Sequence, residues 1–565
     1  MTDSTSQNKL TFQSEQTSHT SQSEQTPESD PTSVSEHPTE PRPSAPVPLR
    51  GDRLADLPPG VDRPEYDRAA VTAGIVHFGV GGFHRAHQAM YTDVLLASDD
   101  AQVAGAAAGW GICGVGVMPS DAAMRDVMRA QDGLYTLVTK APDGALHARV
   151  IGSIVDYRYA PDDPQAVIAK LADPAVRIVS LTVTEGGYSL NQLTGEFDPS
   201  PADIQADLNA DALPRTTFGL ITAGLRLRRE RGVPPFTVLS CDNLQGNGDL
   251  ARKAFTSFAT LLDPELGQWM RQQVHFPNCM VDRITPATTD ADRQLVAERF
   301  GIDDGWPVVC EPFTQWVLQD DFAVAEPDAP SRPQWELTGA QIVDDVEPYE
   351  LMKLRLLNAS HQGIAYFGHL AGYRLVHEAA TDPDLAAFLL SYMVNEASPT
   401  LAPVPGVDLD AYRKELIERF GNPGVRDTVA RLAAESSDRI PKWLVPVISE
   451  NIAAGRDVTL SAAICASWAR YAEGVDEQGK PIDVVDRYAD ERRAAAAGQL
   501  RRQDGTVADP LAFVRNRDFF GDLADQPEFT EPYLAALESL HRNGSKATYA
   551  ALARHYAHRC AAPQL

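Results

Sequence analysis

Four short runs of apolar and β-branched residues divide the first half of the chain: Gly74-Ile75-Val76-His77-Phe78-Gly79, Gly111-Ile112-Cys113-Gly114-Val115-Gly116-Val117, Arg177-Ile178-Val179-Ser180-Leu181-Thr182-Val183 and Phe236-Thr237-Val238-Leu239-Ser240. Segments of helix length separate them, among them the Leu- and Arg-rich stretch 214–231. Strands that alternate with helices pack as a parallel sheet flanked by helices. After about residue 340 the pattern changes to helix-period segments, at 348–371, 383–396, 409–420, 424–435, 444–455, 459–473, 486–500 and 531–541. Pro/Gly breaks such as Pro403-Val404-Pro405-Gly406 lie between them. The order of elements predicts an α/β domain followed by a mainly α-helical one.

At 565 residues the chain is too long for one ordinary domain. Residues 1 to about 50 are almost all Ser, Thr, Gln, Glu and Pro, too polar to offset their ordering entropy. The expected organisation is a disordered tail over 1–55, an α/β domain over 56–340 and a helical domain over 341–565. A formal net charge of −28 argues against nucleic acid or an anionic membrane as partner. The six cysteines are far apart and form no CxxC pair, which argues against a disulfide framework or a zinc site. Reduced thiols in a cytoplasmic protein are the simplest expectation. The chain has no apolar run long enough to span a membrane, and its N-terminus lacks the apolar stretch of a signal peptide.

Within 348–371 polar groups stand where leucines belong. A helix advances about 100° per residue, which places Glu350, Lys353, Asn358 and His361 within roughly one third to one half of the wheel. Leu351, Leu354, Leu357, Ile364 and Ala365 share that face, and Met352, Leu356, Ala359, Tyr366 and Phe367 occupy the other. A helix apolar nearly all round is buried, and buried ionisable groups are costly unless used or paired. A single lysine on such a helix snorkels to solvent, and a single histidine is a hydrogen-bonded core residue. Four polar groups on one leucine-rich face point instead to a reaction centre.

Gly79-Val80-Gly81-Gly82-Phe83-His84-Arg85 follows the first strand and opens a helix. It carries the first two glycines of a dinucleotide fingerprint, with His84 in place of the third. The glycines permit a tight turn and close approach of a pyrophosphate to a helix N-terminus; the plain alternative is a Gly-rich turn. The motif makes the α/β domain Rossmann-type. Asp121 follows the second strand, farther from the glycines than the usual ~20 residues, so an insertion must intervene. It can meet an adenosine ribose and repel a 2′-phosphate, or cap the helix that begins near Ala122. Thr184-Glu185-Gly186-Gly187-Tyr188 and Cys241-Asp242-Asn243-Leu244 each follow a strand, at the carboxyl ends where ligands bind in open α/β sheets. Asn243 can reach a substrate oxygen there, or serve an Asx-turn. Met280-Val281-Asp282-Arg283-Ile284-Thr285-Pro286 places an ion-pair candidate in a loop.

Together, Ile75 to Asp93 (IVHFGVGGFHRAHQAMYTD), TEGGY, CDNLQGNG, VDRITP, WPVVCEPF and KLRLLNASH resemble the polyol-specific long-chain dehydrogenases, in family order. The likeness covers roughly residues 60 to 550, and its most specific element is Lys-x4-Asn-x2-His at Lys353, Asn358 and His361. Leu401 to Gly406 and Gly474 to Glu477 draw it toward the mannitol-oxidising members. The family is free of catalytic metal, and the resemblance implies none here. It implies Lys353 as general base, Asn243 and Asn358 flanking the reacting oxygen, and His361 positioning a substrate hydroxyl. Asp282 would orient the site, and Glu350 would link Lys353 to solvent protons. Arg431 and Arg439 would hold substrate hydroxyls, Arg439 standing where the family commonly has lysine.

The implied cofactor is NAD, with Gly79, Gly81, Gly82, Phe83, His84, Arg85, Asp121 and Glu185 as its contacts. The implied reaction is oxidation of D-mannitol to D-fructose and its reverse. D-arabinitol, sorbitol or fructuronate are the rivals within the class, and a carboxylated substrate would need a further cation. A non-catalytic sugar- or NAD-binding regulator is the rival outside it. The resemblance is compatible with a monomer or a weak homo-oligomer.

Overall fold

Parallel strands that are apolar along their whole length need cover on both faces, and the first-half runs obtain it. The computed structural model describes residues 45–191, 195–209, 212–324, 330–499 and 509–561. Strands form at Ala73–Phe78, Gly111–Gly116, Ile178–Leu181 and Thr237–Ser240, as the pattern predicts, and a further one at Ile154–Tyr159 joins them. The sheet order runs Ile154–Tyr159, Gly111–Gly116, Ala73–Phe78, Ile178–Leu181, Thr237–Ser240, with every pair parallel. Ile75, Ile112, Ile154, Ile178 and Leu239 pack on one face. Val76, Phe78, Cys113, Val115, Val179, Leu181 and Val238 pack on the other. Strand order reverses beside Ala73–Phe78, so a crevice opens at its carboxyl end next to that of Ile178–Leu181.

Two three-stranded sheets accompany this one. Cys279–Asp282 runs antiparallel to Gln315–Gln319, which pairs parallel with Gln341–Val343. The hairpin of Tyr135–Lys140 and Leu146–Ile151 pairs with Val308–Cys310. The first matters for the site because it carries Asp282. The insertion expected before Asp121 consists of the helices Gln88–Leu96 and Ala101–Ala107.

The expected tail needs a correction at its end. Residues 1–44 lie outside the described residues, but Val47–Pro48 pairs with Ile302–Asp303 as a short parallel strand. Leu49 and Leu57 are buried with Leu134, Val150 and Ile302. These two leucines close to a Pro/Ser-rich stretch supply burial that the composition average hides. The last strand, Gln341–Val343, also carries the sheet region a few residues beyond 340, and continuous helix begins at Glu347.

From Glu347 onward the described residues are helical apart from connecting segments and share one apolar core. The expected 424–435 helix shrinks to Val429–Ala433, and Ser436–Trp443, Pro527–Asn543 and Ser545–Ala561 replace or extend the predicted pattern. The 348–371 segment is not one α-helix. Glu347–Met352 and Ala359–Leu370 are α-helical, and Lys353–Asn358 between them is a π-helical turn. In an α-helix five residues turn about 500°, which would leave Lys353 and Asn358 about 140° apart. A turn closed by i→i+5 bonds spreads each turn over more residues and brings them nearer to one side. The uniform wheel therefore set Asn358 too far from Lys353, and the π turn narrows that angle. Among the described residues no helix is long and apolar enough to cross a membrane.

Leu49 tests the corrected boundary. Leu49→Ala should lower the free energy of unfolding by about 2–5 kcal/mol in urea titrations, as for other buried leucines. A loose tail would give no change.

Candidate functional site

The glycine turn is built by close contact between strands. Gly79 has φ +92°, and a Cβ there would lie 2.1 Å from the Thr182 carbonyl oxygen. Gly81 precedes the short Gly82–Ala86 helix. A Cβ on Gly81 would meet only the Gly79 oxygen, at 3.8 Å, and one on Gly82 would meet Thr285 Cγ2 at 3.6 Å. The helix end beyond Gly79 is thus an open cradle. Opposite it, Asp242 pins the Thr184 loop. Its Oδ1 accepts the Thr184 N–H at 2.8 Å, and its Oδ2 accepts the Val183 N–H at 3.1 Å and the Tyr188 hydroxyl at 2.7 Å. Thr184 is held at φ +64°, a strained conformation for a β-branched residue.

A cleft of about 560 Å³ runs from this cradle to the helical half. Its lining includes Gly79, Gly81, Gly82, Phe83 and Glu185 together with Asn243, Asp282, Lys353, Asn358, His361, Arg431 and Arg439. Lys353 is 5% exposed and donates to Asn243 Oδ1 at 2.5 Å. Burial pushes its amine below the ordinary lysine range; the Arg419 cation acts in the same direction, and the Asp282 and Glu350 carboxylates oppose both. Asn358 is 4% exposed, and its Nδ2 has no partner within the protein. His361 packs against the Phe420 ring at 4.8 Å. Desolvation, then the cations of Arg431, Arg419, Lys353 and Arg439, hold its imidazole neutral. The Asp427 carboxylate grips Arg431 at 2.5 and 2.6 Å, and Arg439 donates to the Leu432 carbonyl at 2.9 Å.

Four expected site residues are not in this cleft. His84 is buried behind the glycine turn, stacked on His77 with ring centroids 3.3 Å apart. It takes the close strand–helix contact that the third glycine would otherwise provide. Arg85 is buried as well and donates to the Trp306 and Gly81 carbonyls, so it braces the turn from within. Asp121 sits at the carboxyl end of the Gly111–Gly116 strand, where its Oδ2 accepts the N–H groups of Val117 and Met118 at 2.9 Å. It makes no side-chain cap to the helix that follows. Glu350 lines a separate cavity of about 10 Å³ that also touches Lys353. The Gly246 N–H approaches its two carboxylate oxygens at 3.2 and 3.3 Å, and burial pushes its pKa up to about 7.

Arg419 escaped the sequence reading. It lies on the Leu409–Phe420 helix and reaches into the sheet half. There it pairs with Asp282 at 2.8 Å, forks onto Glu311 at 2.8 and 2.9 Å, and stacks 3.7 Å from the centre of the Phe313 ring. No motif marks it, although its partners Asp282, Glu311 and Phe313 all lay in quoted segments. Among the described residues no group of three or more His, Cys, Asp or Glu side chains is placed to hold a metal ion.

A reversed parallel sheet with a glycine turn at its crevice, closed by a helical half that presents a buried lysine, defines a two-part Rossmann-type oxidoreductase class. Residues 73–331 match the mannitol dehydrogenase Rossmann domain, and residues 345–541 match the mannitol dehydrogenase C-terminal domain. The chain is 44% identical to a mannitol 2-dehydrogenase of Aspergillus terreus, over 88% of this chain and 98% of that one. It is 44% identical to one of Pyricularia oryzae over the same shares. The Pseudomonas fluorescens mannitol 2-dehydrogenase, solved as a ternary complex with NAD and D-mannitol, superposes with TM-score 0.79 at 43% identity, covering 90% of this chain and 100% of that one. A D-sorbitol dehydrogenase in substrate-free form gives TM-score 0.80 at 36% identity, covering 89% and 100%. The chain belongs to the mannitol dehydrogenase family.

Removing Arg419 would strand two buried carboxylates. Arg419→Met should cost about 3–5 kcal/mol in chemical unfolding. The loss should shrink as pH falls, because protonation neutralises the stranded acids. A variant as stable as the wild type would show that the ion cluster does not hold the halves together.

Proposed function

We propose that the protein oxidises D-mannitol to D-fructose with NAD, and reduces the ketose in reverse, by hydride transfer without a catalytic metal. One observation carries the reading. The Lys353 amine, closed from water and bonded to Asn243, shares a cleft with the unpartnered Asn358 amide and the glycine cradle. The relatives named above support it: two are mannitol 2-dehydrogenases, and a third was solved with NAD and D-mannitol. In this reading residues 56–340 hold the dinucleotide, and residues 341–565 supply the base and, together with Asn243 and Asp282, the substrate contacts.

The cradle suits the cofactor, since side-chain-free Gly81 and Gly82 leave room at a helix N-terminus for a pyrophosphate. Gly79 and Phe83 complete that wall, and Asp121 lies at the strand end where an acid faces the adenosine ribose. Bound NAD supplies the hydride acceptor. Lys353 takes the proton of the reacting hydroxyl, which requires the neutral amine that burial favours. The amides of Asn243 and Asn358 donate to the oxygen as negative charge develops on it. Asp282, His361, Arg431 and Arg439 hold the remaining hydroxyls. The proton leaves through the small cavity, which has room for about one water, to Glu350. With a pKa of about 7, Glu350 can pass it on near neutral pH. The five described cysteines are free and buried, which suits a cytoplasmic location.

The likeness to a D-sorbitol dehydrogenase makes D-sorbitol the second candidate substrate. Steady-state kinetics with D-mannitol, D-arabinitol, D-sorbitol and D-fructuronate should give the highest kcat/KM for D-mannitol; a higher value for another substrate reassigns it. Lys353→Ala should lower kcat by about 10²–10⁴-fold. In the wild type, kcat/KM for oxidation should rise with pH through the depressed lysine pKa and then level, because the neutral amine is the base. For reduction it should fall over the same range, because the protonated amine is the acid. Asp121→Ala should raise the KM for NAD and weaken discrimination against NADP. A wild type that prefers NADPH would remove the role given to Asp121.

A further inference from the structure

We propose that Tyr392 is a positioning residue: its hydroxyl holds the π turn that aligns Lys353 with Asn358. The inference rests on the reaction proposed above. In a regular α-helix the Ala359 N–H would bond to the Arg355 carbonyl, four residues back. Instead it reaches past that carbonyl to Leu354. The carbonyl passed over accepts the Tyr392 hydroxyl at 3.0 Å. Tyr392 is fully buried in the helical core and is absent from the cleft lining, so it acts on the site only through the turn.

The surroundings keep the hydroxyl at its post. Arg355 is tied on its side-chain end, donating to the Thr400 carbonyl at 2.7 Å and forking onto Glu450 at 2.7 and 2.8 Å. Tyr392 is followed by a second π turn, Met393–Ala397, where the Ser398 N–H reaches back five residues to Met393. The buried Glu396 carboxylate in that turn accepts the N–H groups of Leu460 and Ser461 at 2.7 Å. The second turn is therefore anchored to the start of the Thr459–Ala472 helix. If the first turn relaxed to α-helix, the Ala359 N–H would compete with the phenol for the Arg355 carbonyl, and a weakened bond to a buried hydroxyl is costly. The hydroxyl thus biases a local choice between two helix geometries. In the α geometry Lys353 and Asn358 diverge by about 140° and cannot face one oxygen. π turns recur at functional sites for this kind of local re-aiming.

Tyr392→Phe keeps the ring and removes the hydroxyl. Kinetics of the full-length variant should show kcat for D-mannitol reduced on the order of 10²-fold, as for small misplacements of catalytic groups. The pH dependence of kcat should shift, and the KM for NAD should stay unchanged. Tyr533→Phe is the control, because it removes a hydroxyl bonded to Gln499 in the same core; it should leave kcat and the pH profile as in the wild type. A crystal structure of Tyr392→Phe should show the Ala359 N–H returned to the Arg355 carbonyl. Wild-type kcat and pH profile in Tyr392→Phe, or an equal loss in Tyr533→Phe, overturns the inference. A wild type that oxidises no polyol overturns the reaction instead, and a crystal structure of Tyr392→Phe that retains the π turn then overturns the inference on its own.

Discussion

The amine of Lys353 is withdrawn from water at the seam between a sheet half and a helical half, and the surrounding structure is arranged around that fact. An isolated buried ammonium would be prohibitively costly, so each half contributes something that makes it tolerable. The sheet half supplies the Asn243 amide oxygen and the Asp282 carboxylate, and the helical half supplies Lys353, Glu350 and Arg419. Arg419 balances Asp282 and Glu311, which keeps the carboxylates from fully claiming the lysine's charge. The halves are thus joined by the groups that set the lysine's protonation, and loosening the joint would alter the site directly.

The cofactor end follows a different logic, that of close backbone approach. Gly79 lies so near Thr182 that no side chain fits, and Gly81 and Gly82 leave the helix end open. His84 replaces the third glycine of the fingerprint yet the turn still forms, because its ring stacks on His77 beneath the strand end. His77 in turn bonds to Ser180 at 2.8 Å and to Thr182 at 3.0 Å, so the pair ties the first strand to the fourth behind the cradle. Burial drives both imidazoles toward the neutral form, which suits rings packed in an apolar wall. Desolvated, neutral histidines stand here where close packing usually calls for glycine.

Much of this was legible in the residue order. The strand runs ending at Phe78, Gly116, Leu181 and Ser240 are apolar along their length, and that pattern alone specifies strands covered on both faces. Lys353, Asn358 and His361 stand out because polar groups in a leucine-rich helix are expensive. Asn243 and Glu185 could be placed because they follow strands at the end of the sheet where ligands bind. The three-stranded sheet built on Tyr135–Lys140 was missed, since its outer strand Val308–Cys310 comes from far away in sequence. The side chains of His84 and Arg85 lie behind the turn rather than in the cleft, and adjacency to a glycine turn does not say which side of it a side chain faces.

Sequence by itself determined the two-part architecture, the glycine turn and the identity of the buried polar set, because periodicity, glycine spacing and the cost of burying charge are local properties. Only the tertiary structure decided three further things. It turned Lys353–Asn358 into a π turn, since the choice between i→i+4 and i→i+5 closure depends on whether Tyr392, distant in sequence, offers the Arg355 carbonyl another partner. It moved Glu350 out of the cleft into a cavity of its own beside Lys353. It brought Arg419 to Asp282 and Glu311 across the seam. Each of these depends on a hydrogen bond or ion pair between residues distant in sequence: Tyr392 to Arg355 within the helical half, and Glu350 to Gly246 and Arg419 to Asp282 and Glu311 across the seam.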